Sequence, residues 1–124
     1  MSKKDDTILF LMLQTIDKIF EYSSVFSNVD DFVDDGKSFD ACMMNFIALG
    51  ETISKLSQNF KDRNNHVDWN KIQAFRNIIA HDYFGIDEDE VRQIIKTHLP
   101  KLKADIENII RMPTNQNHKN YKPH

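Results

Sequence analysis

Residues 39–60 read FDACMMNFIALGETISKLSQNF, and the apolar positions of this stretch decide the fold class. These positions alternate at intervals of three and four residues, the pattern of a helix packed along a partner helix. They are Phe39, Cys42, Phe46, Leu49, Ile53, Leu56 and Phe60. Gly50 lies in the middle, where a glycine costs a helix about 1 kcal/mol relative to alanine. We therefore interpret 39–60 as one long helix and Gly50 as a point of close approach by another helix.

Three further apolar stripes at helical spacing predict three further helices. They fall at residues 5–24, 68–84 and 87–112. Pro100 is expected to kink or split the last helix, because proline lacks the N–H that a helix interior uses. The acidic stretch at 27–36 is expected to be a solvated loop. Four helices with short connections predict an all-α fold, an antiparallel up-and-down bundle of four and up to five helices.

Polar residues that precede the apolar stripes are the expected N-caps of these helices, since their side chains can accept a free N–H of the first turn. For the first helix the cap is predicted at Asp5 or Asp6, and for the second at Ser38. Asp68 and Asp87 are the predicted caps of the third and fourth helices.

The chain has 124 residues, the length of one domain. We assign residues 1–112 to the helical bundle and the polar residues 113–124 to a disordered tail. The apolar run at 8–13 is too short for a membrane span, and acidic residues interrupt the basic region that a signal sequence needs. Cys42 is the single cysteine, which fits a reducing compartment. We therefore expect a cytoplasmic protein that does not associate with a membrane.

The net charge of −3 argues at first against a nucleic-acid-binding protein, but the charge is unevenly distributed. Residues 1–54 hold four basic and ten acidic side chains, whereas 55–124 hold twelve basic and nine acidic. The second part is therefore net positive, and RNA is not excluded as a ligand. The three glycines are too widely spaced for a phosphate-binding loop. The five histidines share no metal-ligand spacing, so no metal site is predicted.

Side chains suited to phosphodiester chemistry are concentrated in one short stretch: Arg76, Asn77, His81 and Tyr83. An arginine offers a planar set of donors to phosphate oxygens, and a histidine can take or give a proton near neutral pH. An asparagine can orient the imidazole or a phosphate. Such groups could cleave RNA without a metal ion, with histidine activating the 2′-hydroxyl and arginine stabilising the charged phosphorane.

The helical geometry complicates this interpretation, because Arg76 and His81 differ in direction by about 140° on an ideal helix. Either the helix loosens before His81, or a second subunit completes the site and also supplies a second histidine. The alternative is structural: His81 bonds the terminal carbonyls of its helix, and Tyr83 packs beside the fourth helix. Glu51 is equally open, either an exposed carboxylate on the flank of its helix or a supporting residue of the site.

The sequence FRNIIAHDYFGID at 75–87 closely resembles the signature of the HepT-like HEPN-domain family, the ribonuclease toxins of HEPN/MNT toxin–antitoxin pairs. Within it, Arg76-x4-His81-x-Tyr83 is the motif that carries the resemblance. The similarity covers roughly residues 5–112 and extends to four shorter stretches, at 40–41, 49–57, 69–72 and 99–103.

The resemblance implies a HEPN-type bundle that forms a homodimer, with the motifs of both protomers facing a shared cleft. Arg76 and His81 would be catalytic in metal-independent endoribonuclease action on RNA, with Asn77 in support and no cofactor for the cleavage. Tyr83 corresponds to the family tyrosine that a partner minimal nucleotidyltransferase, the antitoxin, adenylylates with ATP and magnesium. The runner-up is a non-catalytic nucleotide-binding or interaction module that partners a nucleotidyltransferase. A third reading, in which the motif only packs the bundle, is disfavoured by the length of the match.

Overall fold

The structure is a computed structural model that describes residues 2–111, and every regular element in that range is helical. Its α-helices are α1 (Lys3–Ser23), α2 (Val29–Asp34), α3 (Gly36–Ser54), α4 (Gln58–Arg63), α5 (Asn70–His81), α6 (Glu88–Gln93) and α7 (Leu99–Arg111). A 3₁₀ turn at Tyr83–Gly85 follows α5, and a π-helical segment at Ile94–His98 joins α6 to α7. The predicted all-α fold class is confirmed.

Four long helical segments make up the bundle: α1, α3, α5 and the run from α6 through the π-helical segment to α7. α3 packs between α1 and α5, while α7 packs on the other side of α1. The contacts show that neighbouring helices run in opposite directions: Cys42 Sγ approaches the Ile19 carbonyl oxygen, whereas Asp5 contacts Ser57 at the other end of α1. The two short helices α2 and α4 lie at the ends of α3. The up-and-down arrangement of four long segments is the one that the sequence predicts.

The apolar stripe of α3 forms the centre of the core. Phe46 is fully buried and meets the ring of Phe75 from α5 edge to face, with 5.0 Å between ring centroids. From α1 the buried side chains Leu9, Met12, Ile16 and Ile19 pack against it. Burial of each such side chain contributes about 1.5–3 kcal/mol. The apolar side chains that recur every three and four residues are therefore the main source of the fold's stability.

The predicted helix at 39–60 is in fact two helices. α3 ends at Ser54, the chain turns, and the Ser57 hydroxyl caps α4 by accepting the Phe60 N–H. The predicted N-cap Ser38 is also wrong: Asp35 caps α3, and its carboxylate accepts the Ser38 N–H. The break arises from a tertiary contact, because the carboxylate of buried Asp5 accepts both the N–H and the hydroxyl of Ser57.

Neither Asp5 nor Asp6 caps α1, because the helix begins at Lys3 and both residues lie within its first turns. The cap is Ser2, whose hydroxyl accepts the Asp5 N–H. Burial by itself raises the pKa of Asp5, but the hydrogen bonds from Ser57 and Ser2 outweigh it and lower the pKa below its ordinary value. Asp5 is therefore a buried carboxylate that ties the start of α1 to the start of α4.

One smaller expectation is corrected. The stretch at 27–36 contains α2, which Asn28 caps, rather than only a loop.

The last predicted helix was expected to be kinked or split at Pro100, and its regular α-helix is interrupted close to this proline. The π-helical segment Ile94–His98 separates α6 from α7, and the Leu99 N–H is bonded to the Ile94 carbonyl. The wider π turn is where the chain accommodates a proline that cannot donate. As predicted, Asp87 caps α6, and its carboxylate accepts the Asp89 N–H. The N-cap position of α5 is Trp69 rather than the predicted Asp68, but the Asp68 carboxylate still accepts the N–H groups of Asn70 and Lys71.

No helix within residues 2–111 is both long enough and apolar enough to cross a membrane. The predicted tail at 113–124 lies outside the described residues.

Candidate functional site

Arg76 lies on the edge of α5 that faces α3. α5 buries Ile72, Phe75 and Ile79, and this apolar stripe fixes the rotation of the helix. A Cβ atom at Gly50 would come within 2.8 Å of Arg76 Cβ, so the two backbones approach as closely as they do because position 50 has no side chain. The interpretation of Gly50 as a point of close helix approach is confirmed.

The guanidinium of Arg76 is held by two neighbours. Its Nη2 donates to Glu51 Oε2 at 2.9 Å, and its Nη1 donates to Asn77 Oδ1 at 3.3 Å. The side chain of Arg76 is 34% exposed and that of Glu51 is 55% exposed, so solvent screens this pair. The sequence left the role of Glu51 open, and the structure places its carboxylate in direct contact with Arg76.

An open polar cleft surrounds this arginine, and it is lined by Gly50, Glu51, Ser54, Lys55, Gln73, Arg76 and Asn77. Lys55 brings a second positive charge to the cleft. The Glu51 carboxylate accepts from Arg76 Nη2, and a phosphate oxygen binds a guanidinium donor in the same way as a carboxylate does.

His81 does not join Arg76 in this cleft. It is the last residue of α5, it is exposed, and it does not belong to the lining of the cleft. α5 is continuous from 70 to 81, so the expectation that the helix loosens before His81 is wrong. No hydrogen bond joins the His81 side chain to another of the residues 2–111, so it does not satisfy the terminal carbonyls as the structural alternative required.

Tyr83 lies beyond the end of α5, in the 3₁₀ turn, where the chain has left the helical path. Its ring packs edge to face on Phe39 of α3, with 6.2 Å between centroids. Its hydroxyl donates to the Asp40 carboxylate. Burial raises the pKa of Tyr83 to about 12, and the hydrogen bond and the negative charge of Asp40 add to the effect.

Asp40 is the residue that sequence reasoning missed. It lies on the side of α3 that also carries Glu51, eleven residues away and therefore about 16 Å along the helix axis. The antiparallel register set by Gly50 against Arg76 places Asp40 beside the chain that leaves α5. The stretch at 40–41 contributed to the family resemblance. Only the register of α3 against α5 shows that Tyr83 is the neighbour of Asp40.

Large apolar side chains are exposed on the same two helices and on the turn. Met44 of α3 is 64% exposed, Ile78 of α5 is 43% exposed, and Phe84 of the turn is 100% exposed. Isolated exposed apolar residues are ordinary, but here they occur on both helices that carry the polar site and on the turn that follows.

The sequence profile of the family described as "Ribonuclease HepT-like" matches residues 12–109. A protein of Methanocaldococcus jannaschii named "Gamma-glutamylcyclotransferase and putative RNase" is 31% identical over 109 residues, 87% of this chain and 49% of that protein. This chain thus spans about half the length of that relative.

Other relatives match over most of their length. A "Putative RNase" of the same organism is 27% identical over 108 residues, 86% of this chain and 98% of that protein. A "Probable ribonuclease HepT" of Thermococcus cleftensis is 26% identical over 80 residues, 64% of this chain and 73% of that protein. No solved structure matches the chain.

Proposed function

This chain belongs to the HepT-like ribonuclease family, and on that premise we propose that it is a metal-independent endoribonuclease, the toxin of a HEPN/MNT toxin–antitoxin pair. The observation that carries the proposal is the state of Arg76. Its guanidinium faces an open cleft, beside a lysine and a carboxylate, on the same helix as an exposed histidine.

The proposed chemistry assigns one task to each side chain. Arg76 stabilises the negative charge of the phosphorane, and Asn77 keeps the guanidinium oriented. His81 takes the proton of the attacking 2′-hydroxyl, and a second His81 returns a proton to the leaving oxygen. A single imidazole cannot hold both protonation states at once, so the reaction favours a site with two histidines.

A homodimer supplies that second histidine. In one chain Arg76 and His81 point about 140° apart, and continuous α5 leaves no freedom to bring them together. The exposed side chains Met44, Ile78 and Phe84 on the same elements support a contact with a second copy, because association would remove them from water. The composite site thus consists of Arg-x4-His motifs from both protomers.

Glu51 has a supporting role in this proposal. It holds the Arg76 side chain in the cleft before RNA arrives, at 2.9 Å between Nη2 and Oε2. A phosphate of RNA then displaces the carboxylate, and the arginine is already near its working position. Such pre-organisation lowers the entropy lost on binding.

Control of the toxin is proposed to act through Tyr83, which a minimal nucleotidyltransferase antitoxin would adenylylate with ATP and magnesium. Tyr83 follows His81 by two residues and lies in a surface turn. The added nucleotide carries a negatively charged phosphate to the edge of the site, where it repels RNA and occupies space.

One observation favours the runner-up, a non-catalytic module that binds nucleotide and its partner. Arg76 is already paired with Glu51, and no contact within the described chain joins it to His81. A cleft of this kind could bind a nucleotide phosphate without performing any reaction.

Cleavage of RNA in excess chelator decides between the two functions. We expect wild type to cleave, and Arg76→Ala and His81→Ala to be slower by about 10²-fold or more, as for loss of an oxyanion donor or a proton-transfer group. His66→Ala, an exposed histidine outside the cleft, is the matched control and is expected to keep full activity. Equal cleavage by all four proteins, or by none of them, would exclude the enzymatic proposal.

Tyr83→Phe tests the proposed control. This variant is expected to cleave RNA but to escape inhibition by the nucleotidyltransferase with Mg-ATP, because the acceptor hydroxyl is gone. Inhibition that persists without the hydroxyl would mean that the antitoxin acts by covering the site.

A further inference from the structure

The hydrogen bond between Tyr83 and Asp40 joins two elements that are distant in the sequence. Asp40 belongs to α3 and Tyr83 to the turn after α5, 43 residues later. Asp40 is exposed and Tyr83 is only partly buried, so the contact is reachable from solvent. It adds little to the core, which lies on the opposite side of α3.

The ring of Phe39 fixes the direction of the Tyr83 hydroxyl. Phe39 meets the tyrosine ring at 6.2 Å and 67°, while the fully exposed Phe84 lies edge to face at 5.8 Å and 86°. With the tyrosine ring packed on Phe39, its hydroxyl donates to the carboxylate of Asp40. Neither phenylalanine carries a charge, so Asp40 is the charged group that acts on the phenol.

We propose that Asp40 is the general base that accepts the phenolic proton of Tyr83 when a nucleotide is transferred to that hydroxyl. This role rests on the proposed modification of Tyr83. In the reaction Tyr83 Oη forms a bond to the α-phosphorus of a nucleoside triphosphate, and the bond from that phosphorus to the bridging oxygen breaks. Pyrophosphate leaves with the electron pair, the proton passes from Oη to Asp40 Oδ1, and water then receives it.

A proton acceptor is needed because this phenol stays protonated at neutral pH. Burial and Asp40 together raise its pKa to about 12, so the free tyrosinate is too scarce to be the nucleophile. As the oxygen bonds to phosphorus its proton becomes strongly acidic, and a carboxylate already within hydrogen-bonding distance can take it. Kinase catalytic loops place an aspartate at the substrate hydroxyl for the same purpose.

The test measures transfer of labelled AMP to the intact protein by its cognate nucleotidyltransferase with Mg-ATP, from pH 6 to 9. Asp40→Asn keeps an oxygen that accepts the tyrosine hydroxyl but cannot accept its proton. Asp34→Asn makes the same carboxylate-to-carboxamide change at an exposed residue of α2 and is the matched control. Thermal unfolding verifies that each variant is folded. Asp40→Glu keeps a carboxylate at this position and serves as the second variant if Asp40→Asn is unstable.

We expect Asp40→Asn to lower the rate at pH 7 by about 10²-fold or more, and Asp40→Glu and Asp34→Asn to stay within about tenfold of wild type. The rate of Asp40→Asn should rise about tenfold per pH unit above pH 7, because the phenol must ionise without help, while wild type changes little. An Asp40→Asn rate and pH profile equal to those of wild type would overturn the role of Asp40 and leave the modification of Tyr83 intact. Absence of label on wild-type Tyr83 would overturn both.

Discussion

Replacing Gly50 with alanine perturbs the position of Arg76 without changing any polar side chain. The new Cβ would meet Arg76 Cβ at 2.8 Å, Arg76 Cγ at 3.1 Å and the Ile72 carbonyl oxygen at 3.5 Å. The first separation is about 0.6 Å below the 3.4 Å at which ordinary contact begins. Because Arg76 Cβ is anchored to the backbone of α5, that helix must shift and carry the guanidinium with it.

Two terms of opposite sign set the effect on stability. Overpacking of this kind costs about 1–3 kcal/mol, whereas alanine in place of glycine in a helix interior gains about 1 kcal/mol. We therefore expect Gly50→Ala to lower the free energy of unfolding by about 0–2 kcal/mol and to remain folded. Its effect on RNA cleavage should be larger, near 10²-fold, because misplacement of a catalytic group by about 1 Å costs that much.

Gly36→Ala is the matched control, since a Cβ at that first residue of α3 meets nothing within 4 Å. Urea unfolding gives the stability of each variant, and cleavage of a labelled RNA under single-turnover conditions gives the rate. We expect Gly36→Ala to be as active as wild type and at least as stable. If Gly50→Ala were indistinguishable from Gly36→Ala in both measurements, the close approach of α3 and α5 would not be what positions Arg76.

Two further predictions concern titrating groups in the fold. Asp5→Asn should lower the free energy of unfolding at pH 7 by about 1–3 kcal/mol, because Ser57 loses charged acceptors. Since the pKa of Asp5 is lowered in the folded protein, the difference in stability between wild type and Asp5→Asn should shrink as the pH falls below 3.8. Urea unfolding at pH 7 and pH 3 measures this difference. An unchanged difference would contradict the role of the carboxylate. Burial lowers the pKa of His98, so protonation favours the unfolded chain and stability should fall as the pH drops below 6.5. His98→Gln should reduce that loss between pH 7.5 and 5.5, and an identical pH dependence in both proteins would exclude His98 as its source.

The fold was predictable where periodicity alone determines burial. The alternation of three and four in α3 identified the central helix, and the glycine within it indicated a close helix approach, which the structure shows to be that of α5. The break between α3 and α4 was not predictable from spacing, because Leu56 and Phe60 continue the apolar stripe and are both buried. The chain turns there because Ser57 bonds to Asp5, 52 residues away, and such a contact leaves no local pattern.

Part of the cleft was predictable from the sequence, because Arg76, Asn77 and Glu51 were all candidate site residues and the structure brings their side chains together. His81 lies outside the lining of the cleft, and the angle between the two residues on an ideal helix correctly separated it from Arg76. The end of α5 at His81 removed Tyr83 from the helical path, so its neighbour could not be inferred from spacing along one helix. Asp40 could be recognised as the partner of Tyr83 only from the register between α3 and α5.

The central claim is that Arg76 and His81 act together only across a dimer that uses both histidines, and mixed dimers test it most directly. Wild type and His81→Ala, co-refolded in varied ratios, form wild-type, mixed and variant dimers in binomial proportions. If both histidines are needed, cleavage falls with the square of the wild-type fraction, to about one quarter at equal amounts. A linear fall, to about one half, would mean that a mixed dimer keeps half its activity, and it would contradict the requirement for both histidines.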